Sequence, residues 1–164
     1  MRVGCVRLST LVMVLALALA LPAGVLAAQG RPLSAFGRQD LTFGMLLAGV
    51  PVTVSRLDAG RAGQFEVRGQ RLTEIRIDLT LPPALVSGSG TQLPLQFNAG
   101  DGGFSPDAAI ASSQAFDPRV PLLARLADAG RLYIFLGGTA LPGSRQAAGI
   151  YAATITLTVA YTGN

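Results

Sequence analysis

The sequence predicts an all-β protein, an antiparallel β-sandwich of two sheets with about seven strands. Short runs of residues alternate between apolar and polar side chains, and clusters of glycine and proline separate these runs. No long stretch has the spacing of an amphipathic helix. Because successive side chains of a strand point to opposite faces, each run can bury one face against a second sheet.

The last predicted strand has the clearest pattern. Between Ile150 and Tyr161 an apolar row alternates with a row of small polar residues. The apolar row is Ile155, Leu157, Val159 and Tyr161, and the other row is Thr154, Thr156, Thr158 and Ala160. The first row is expected on the core, and the second toward water or a partner. An unpaired strand of this kind would template aggregation, so we expect it to have a pairing partner.

The other strands follow from the same periodicity. They are predicted over residues 33–36, 41–44, 50–54, 64–68, 73–81, 93–97 and 132–136. Pro51 cannot donate to a ladder, which favours an edge position or a bulge for its strand. Residues 104–121 are predicted as loop. The apolar spacing over residues 122–127 fits a helix and a strand equally well.

The first 27 residues have the order of a secretory signal peptide. Two arginines precede an apolar run over residues 8–21, which a proline and a glycine end before a stretch of small residues. We expect cleavage after Ala27, with Ala28 as the alternative. A retained membrane anchor is the second interpretation, but the run is shorter than the ~20 residues that span a bilayer. A lipoprotein signal is not predicted, because no cysteine follows the run.

Removing these 27 residues from 164 leaves 137, enough for one domain. We expect a flexible leader over residues 28–40 and a single β-sandwich domain over residues 41–164. The one cysteine, Cys5, leaves with the signal peptide, so the mature chain forms no disulfide. Eleven scattered arginines then face nine acidic residues, a net charge of +2. The chain is therefore predicted to be exported, to the periplasm, cell surface or exterior, with no membrane span after cleavage and no nucleic-acid partner.

The composition leaves little catalytic chemistry. The sequence has no histidine and the mature chain no cysteine. This removes thiol nucleophiles, the usual imidazole base, and the nitrogen and sulfur ligands of zinc. Glu66, Glu74 and Asp78 occupy outward-facing strand positions beside arginines, which indicates ordinary surface charges. We predict that the chain is not an enzyme and has no catalytic residues, cofactor or metal.

A ligand-binding loop is a further interpretation. Residues 98–107 carry Asp101 and Asp107 among glycines, and carboxylate oxygens on a loop can bind calcium. The regular spacing of a calcium loop is missing, so an ordinary Asp-Gly turn is favoured. The aromatic residues are few and dispersed along the sequence, and no stacking platform for sugars or bases is predicted.

Five motifs, in this order, resemble a family of small exported bacterial domains. They are LTFG at 41–44, QFEVRG at 64–69, GGT at 137–139, AGIY at 148–151 and TITLTVAY at 154–161. The family, mostly of unknown function, is similar to spore coat protein U and more distantly to chaperone–usher pilins. The resemblance implies an immunoglobulin-like, pilin-like sandwich made for assembly at a surface.

In pilins, a periplasmic chaperone and then the N-terminal extension of the next subunit fill the groove of a missing strand. The last strand of pilins carries a glycine and a near-terminal tyrosine twelve residues apart, as Gly149 and Tyr161 are here. By this match the assembly residues are Gly149, Tyr151, Ile155, Leu157, Val159 and Tyr161. The implied partners are a periplasmic chaperone and neighbouring subunits.

The sequence thus predicts a secreted, non-enzymatic, pilin-like structural protein, a subunit or accessory of a fimbrium or related surface structure. Edge-strand pairing would assemble it. Two alternatives stay open. One is a monomeric exported binding module with a ligand held by loops, and the other is a self-contained sandwich whose last strand pairs entirely within its own domain.

Overall fold

The computed structural model describes residues 30–163, and its regular structure is β-strand except for a 3₁₀ turn over Ile110–Ser112. No helix within this range is long and apolar enough to cross a membrane. The strands are β1 (Ser34–Gln39), β2 (Val52–Val54), β3 (Gly63–Arg68), β4 (Glu74–Thr80), β5 (Ala84–Ser87), β6 (Gln92–Gln96), β7 (Gly102–Ser105), β8 (Gln114–Phe116), β9 (Leu122–Arg125), β10 (Arg131–Leu136), β11 (Gly138–Ala140), β12 (Tyr151–Ala152) and β13 (Thr156–Tyr161). All pairs are antiparallel, which confirms the all-β class.

The strands form three sheets. The front sheet has the order β1-β3-β10-β7-β8, the back sheet β13-β4-β9, and the lateral sheet β12-β5-β6-β11-β2. The back and lateral sheets are joined by one ribbon, because β13 pairs with β4 and the adjoining β12 pairs with β5. Pro82 and Pro83 lie in the break between β4 and β5, where proline cannot donate to a ladder.

A first core lies between the front and back sheets. Val67 and Ile134 of the front sheet and Ile75 and Ile77 of the back sheet are at most 1% exposed and form one cluster. The alternation over residues 73–81 predicted that Ile75 and Ile77 face the core, and this is confirmed. The apolar spacing over residues 122–127 fitted a helix and a strand equally well, and the structure shows the strand β9 there. Its Ala124 is buried in the same cluster.

A second core lies on the lateral sheet. It contains Phe43, Val54, Leu93 and Ala140. The prediction of a strand over residues 41–44 is wrong, because this segment pairs with no strand and only the Thr42 amide bonds to the Arg61 carbonyl, at 2.9 Å. The apolar pattern there reflects the burial of Phe43 against the sheet.

The thirteen strands of the described residues exceed the predicted number of about seven, because β5, β7, β8 and β11 were not predicted and the last predicted strand is split into β12 and β13. Gly137 separates β10 from β11, where the chain passes from the front to the lateral sheet. A Cβ atom at Gly137 would lie 2.4 Å from the Val54 carbonyl oxygen, so only glycine allows this passage. The prediction of a loop over residues 104–121 is wrong in part, because this segment contains the end of β7 and all of β8. β7 begins with two glycines, so its sequence shows no alternation of apolar and polar side chains.

Residues 34–39 of the predicted flexible leader form β1, which pairs with β3 at the rim of the front sheet. Residues 35–38 are all exposed, which explains why their sequence shows no clear alternation. The register shifts between Gly37 and Gln39, so β1 carries a bulge.

Glu66 binds β1 to β3 on the outer side of the front sheet. It faces outward as predicted, but it is only 1% exposed, so its assignment as an ordinary surface charge is wrong. Arg38 of β1 donates to Glu66 Oε2 through Nε, at 2.7 Å, and through Nη2. Arg68 donates from Nε to Glu66 Oε1 at 2.6 Å and from Nη2 to Oε2 at 3.2 Å. Arg131 lies beside the same carboxylate.

These arginines keep Glu66 ionised. The pKa of Glu66 falls from its ordinary value of 4.5 to about 2, mainly because Arg68 donates hydrogen bonds to the carboxylate and secondarily because Arg38 does so. Burial acts in the opposite direction and raises the pKa. Since the folded pKa is depressed, the ionised group contributes stability above pH 4.5, and this contribution is lost as the pH falls toward 2.

We predict that Glu66→Gln lowers the free energy of unfolding at neutral pH by about 2 kcal/mol, because charge-assisted hydrogen bonds are lost. The stability of the wild type relative to this variant should shrink as the pH falls from 4.5 to about 2. Urea unfolding at several pH values measures both effects. Glu74→Gln, the same change on an exposed strand residue, is the control, and equal effects of the two substitutions would contradict the role of Glu66.

A second prediction concerns the first core. Ile77→Ala should lower the free energy of unfolding by about 3 kcal/mol, because it removes buried carbon atoms and leaves a cavity. Ile150→Ala should change it by less than about 0.5 kcal/mol, since Ile150 is 90% exposed. Thermal and urea unfolding of the two variants compare the same substitution at buried and exposed positions. Similar losses in both would show that the core is misplaced.

Candidate assembly edge and groove

The last strand, β13, lies at the rim of the back sheet. It pairs with β4 in a regular register from Thr156 opposite Thr80 to Tyr161 opposite Ile75. No strand within residues 30–163 pairs with its other side. An edge that lacks a pairing partner can accept a further strand.

The two faces of β13 are those that the alternation predicts. Leu157, Val159 and Tyr161 are half-buried and pack against the first core, whereas the intervening residues are exposed. Ile155, just before the strand, is half-buried in the same way. The facing is thus confirmed. The apolar row is only half-buried because a rim strand is covered from one side alone.

Tyr161 fastens one end of β13. Its hydroxyl donates to the Arg31 carbonyl oxygen at 2.7 Å and accepts from the Gln70 amide at 2.7 Å. Gly69 makes room for it, since a Cβ atom there would lie 2.6 Å from the Tyr161 hydroxyl oxygen. The chain just before β1 and the turn between β3 and β4 therefore meet at this tyrosine.

A groove of about 940 Å³ opens near the start of β13. Its walls are the segments 39–48 and 146–155, and Phe65, Leu85 and Leu93 also line it. Among the predicted assembly residues, Gly149, Tyr151 and Ile155 line this groove, whereas Leu157, Val159 and Tyr161 do not. The structure therefore divides the predicted set between the groove and the adjoining strand.

Tyr151 holds the wall formed by residues 146–155. Its hydroxyl donates to the Ala147 carbonyl oxygen at 2.7 Å and accepts from the side-chain amide of Gln146 at 2.8 Å. Gln146 also donates to the carbonyl oxygen of Gln92 in β6, at 3.1 Å. These bonds fix the wall to the lateral sheet, so part of the groove is preformed.

Large apolar side chains stand exposed at the groove. Met45 is 93% exposed, Leu47 66% and Ile150 90%, and all three are lining residues. Adjacent exposed apolar groups of this kind are typical of interaction sites. Met45 and Leu47 were not predicted from the sequence. The only signal for them is the apolar run over residues 45–47, which has no strand periodicity.

The loop proposed as an alternative ligand site uses its carboxylates internally. Asp101 Oδ2 accepts from the Asn98 amide at 2.6 Å. Asp107 Oδ1 accepts from the Ser105 hydroxyl at 2.9 Å and from the Ala109 amide at 3.0 Å. Both aspartates therefore close turns of their own chain, which favours the turn interpretation. No cluster of three or more potential metal ligands occurs in residues 30–163.

Comparison with known proteins assigns no function to these features. No protein-family model matches the chain, and no curated protein matches it. A function must therefore be inferred from the structure, and the inference rests on the free side of β13 and the adjoining groove.

We predict that Val159→Asp prevents the recovery of soluble folded protein, because it places a carboxylate in the apolar row against the first core. Thr156→Asp, on the exposed face of the same strand opposite Thr80, should fold normally. Soluble yield and near-ultraviolet circular dichroism distinguish the two. Normally folded Val159→Asp protein would show that the facing of β13 is wrong.

Proposed function

We propose that this chain is a non-enzymatic, pilin-like structural protein, a subunit or accessory of a surface assembly. In this proposal, an extended segment of a neighbouring subunit pairs with the free side of β13 and places apolar side chains in the groove. The observation that carries the proposal is that a rim strand, whose outer side pairs with no strand of residues 30–163, leads directly into a groove lined by apolar side chains.

The first support is the composition of β13. Rim strands usually carry charges, prolines or bulges, or are very short, because these features prevent uncontrolled pairing. Over its six residues β13 has no charge, no proline and no register shift. The rim strand β1 carries Arg38 and a bulge, whereas β2 and β12 have only three and two residues. Among these rim strands, β13 is the best suited to accept a partner.

The second support is the adjoining groove. An added strand presents every second side chain to one face, so a strand along β13 would direct these side chains between β13 and the front sheet. The groove continues this path past Ile155 and is large enough for several apolar side chains. Filling it would also cover Met45 and Ile150, whose exposure is otherwise unfavourable.

The resemblance to spore coat protein U and to pilins leads to the same proposal. It adds an immunoglobulin-like strand arrangement, export by the N-terminal signal, and a periplasmic chaperone that covers β13 before assembly. The mature protein then belongs to the periplasm, the cell surface or the exterior. The chemistry required is pairing and burial, and the proposal assigns no reaction to the chain.

Self-association tests the proposal. The purified chain without the predicted signal peptide, residues 28–164, should form concentration-dependent oligomers in sedimentation velocity, and hydrogen exchange of the β13 amides should slow as oligomers form. Ile150→Lys, at the groove, should weaken association by at least about tenfold. Val120→Lys, at a 55% exposed position that does not line the groove, is the matched control and should leave association unchanged.

Thermal unfolding of both lysine variants should match the wild type, because both positions are exposed. A wild-type chain that stays monomeric, with β13 amides whose exchange does not depend on concentration, would contradict the proposal and favour the monomeric binding module.

A further inference from the structure

The outer face of the front sheet gathers arginines and aromatic residues that are scattered in the sequence. Phe36, Glu66 and Tyr133 lie directly opposite one another on β1, β3 and β10, and Arg68 and Arg131 form the next row. With Arg38, they constitute the guanidinium–aromatic cluster, whose members are Phe36, Arg38, Glu66, Arg68, Arg131 and Tyr133. Strand pairing brings two of the dispersed aromatic residues, Phe36 and Tyr133, to the two sides of Glu66.

The cluster has an excess of positive charge. Three guanidinium groups surround one carboxylate, and the two arginines of β3 and β10 are direct cross-strand neighbours. Like charges in that position repel unless an anion lies between them. Within residues 30–163, the only carboxylate in a salt bridge with these arginines is that of Glu66. Glu66 therefore balances one of the three positive charges in the cluster.

Several donors of the cluster remain unused by residues 30–163. Arg38 and Arg68 bind Glu66 through Nε and Nη2, and their Nη1 atoms make no hydrogen bond in this range. Arg131 Nε lies 3.8 Å from Glu66 Oε1, too far for a hydrogen bond, and its side chain is 50% exposed. Arg131 is thus the member of the cluster best placed to receive an external anion.

The aromatic members lie on both sides of Glu66. Phe36 is 45% exposed, and the Arg68 guanidinium carbon lies 5.3 Å from its ring centroid. Tyr133 is half-buried on the other side. Arginine binds carboxylates through paired hydrogen bonds, and an exposed aromatic ring offers an apolar face to the CH groups of a sugar ring.

We propose that the guanidinium–aromatic cluster binds a carboxylate-bearing sugar, as found in the uronate residues of acidic polysaccharides. The sugar carboxylate pairs with Arg131 and the free edge of Arg68, and the sugar ring rests on the part of Phe36 that the Arg68 guanidinium leaves exposed. A carboxylate is the anion of choice because Arg68 already holds one, that of Glu66, in a two-bond arrangement. The cluster and the proposed strand pairing use different strands, since the cluster lies on β1, β3 and β10 of the front sheet and β13 belongs to the back sheet.

Titration calorimetry of the full chain with polygalacturonate tests the site, with neutral dextran as the polymer control. We expect polygalacturonate to bind and dextran not to bind. Arg131→Gln should weaken binding at least about tenfold, which is a free-energy change of ~1.4 kcal/mol. Arg145→Gln removes the same charge from an exposed loop residue outside the cluster and should change binding less than about twofold. Melting temperatures of both variants verify folding.

Competition separates recognition of the sugar from recognition of charge alone. Free galacturonate should displace the polymer at concentrations at which acetate does not, and Phe36→Leu should reduce this difference. Equal competition by acetate, equal binding of inorganic polyphosphate, equal losses in the two arginine variants, or no binding of polygalacturonate would each overturn the proposal.

Discussion

The pairing of β4 with β13 is the interaction on which the rest of the structure depends. β4 is the central strand of the back sheet, and its Ile75 and Ile77 form the middle of the first core. β13 adds Leu157, Val159 and Tyr161 to that core from the rim. Beyond the prolines that end β4, the same ribbon continues as β5 and β12 and carries one wall of the groove. A single antiparallel ribbon therefore supports both cores and positions the candidate site.

The two rim strands on this side of the molecule are stabilised in different ways. β1 has almost no buried side chain, and it is held by backbone pairing and by the bonds from Arg38 to Glu66. β13 has half its side chains on a core, but within the described residues its outer backbone edge pairs with no strand. The charge of Arg38 on β1 disfavours pairing with a further strand. The uncharged β13 is held by its apolar side chains, and its outer edge can accept a strand.

The sequence predicted local features well and features of long-range pairing poorly. Alternation was sufficient to orient Ile77 and Val159, because the period of a strand determines which side chains share a face. The burial of Glu66 could not be predicted, since it depends on Arg38 and Arg131, which are distant in sequence. The wall of the groove formed by residues 39–48 was missed for the same reason, because this irregular segment contacts sheets formed elsewhere in the chain.

The hydrogen bond from Tyr161 to Arg31 makes the two ends of β13 different. It places residue 31 beside the end of β13, whereas the groove lies beside its beginning, about 20 Å away for a six-residue strand. If the region around residue 31 of one copy contacts the groove of another copy, the contact joins two different surfaces. Contacts of that type repeat from copy to copy with a constant polarity, and they generate rings when the rotation closes and open filaments when it does not.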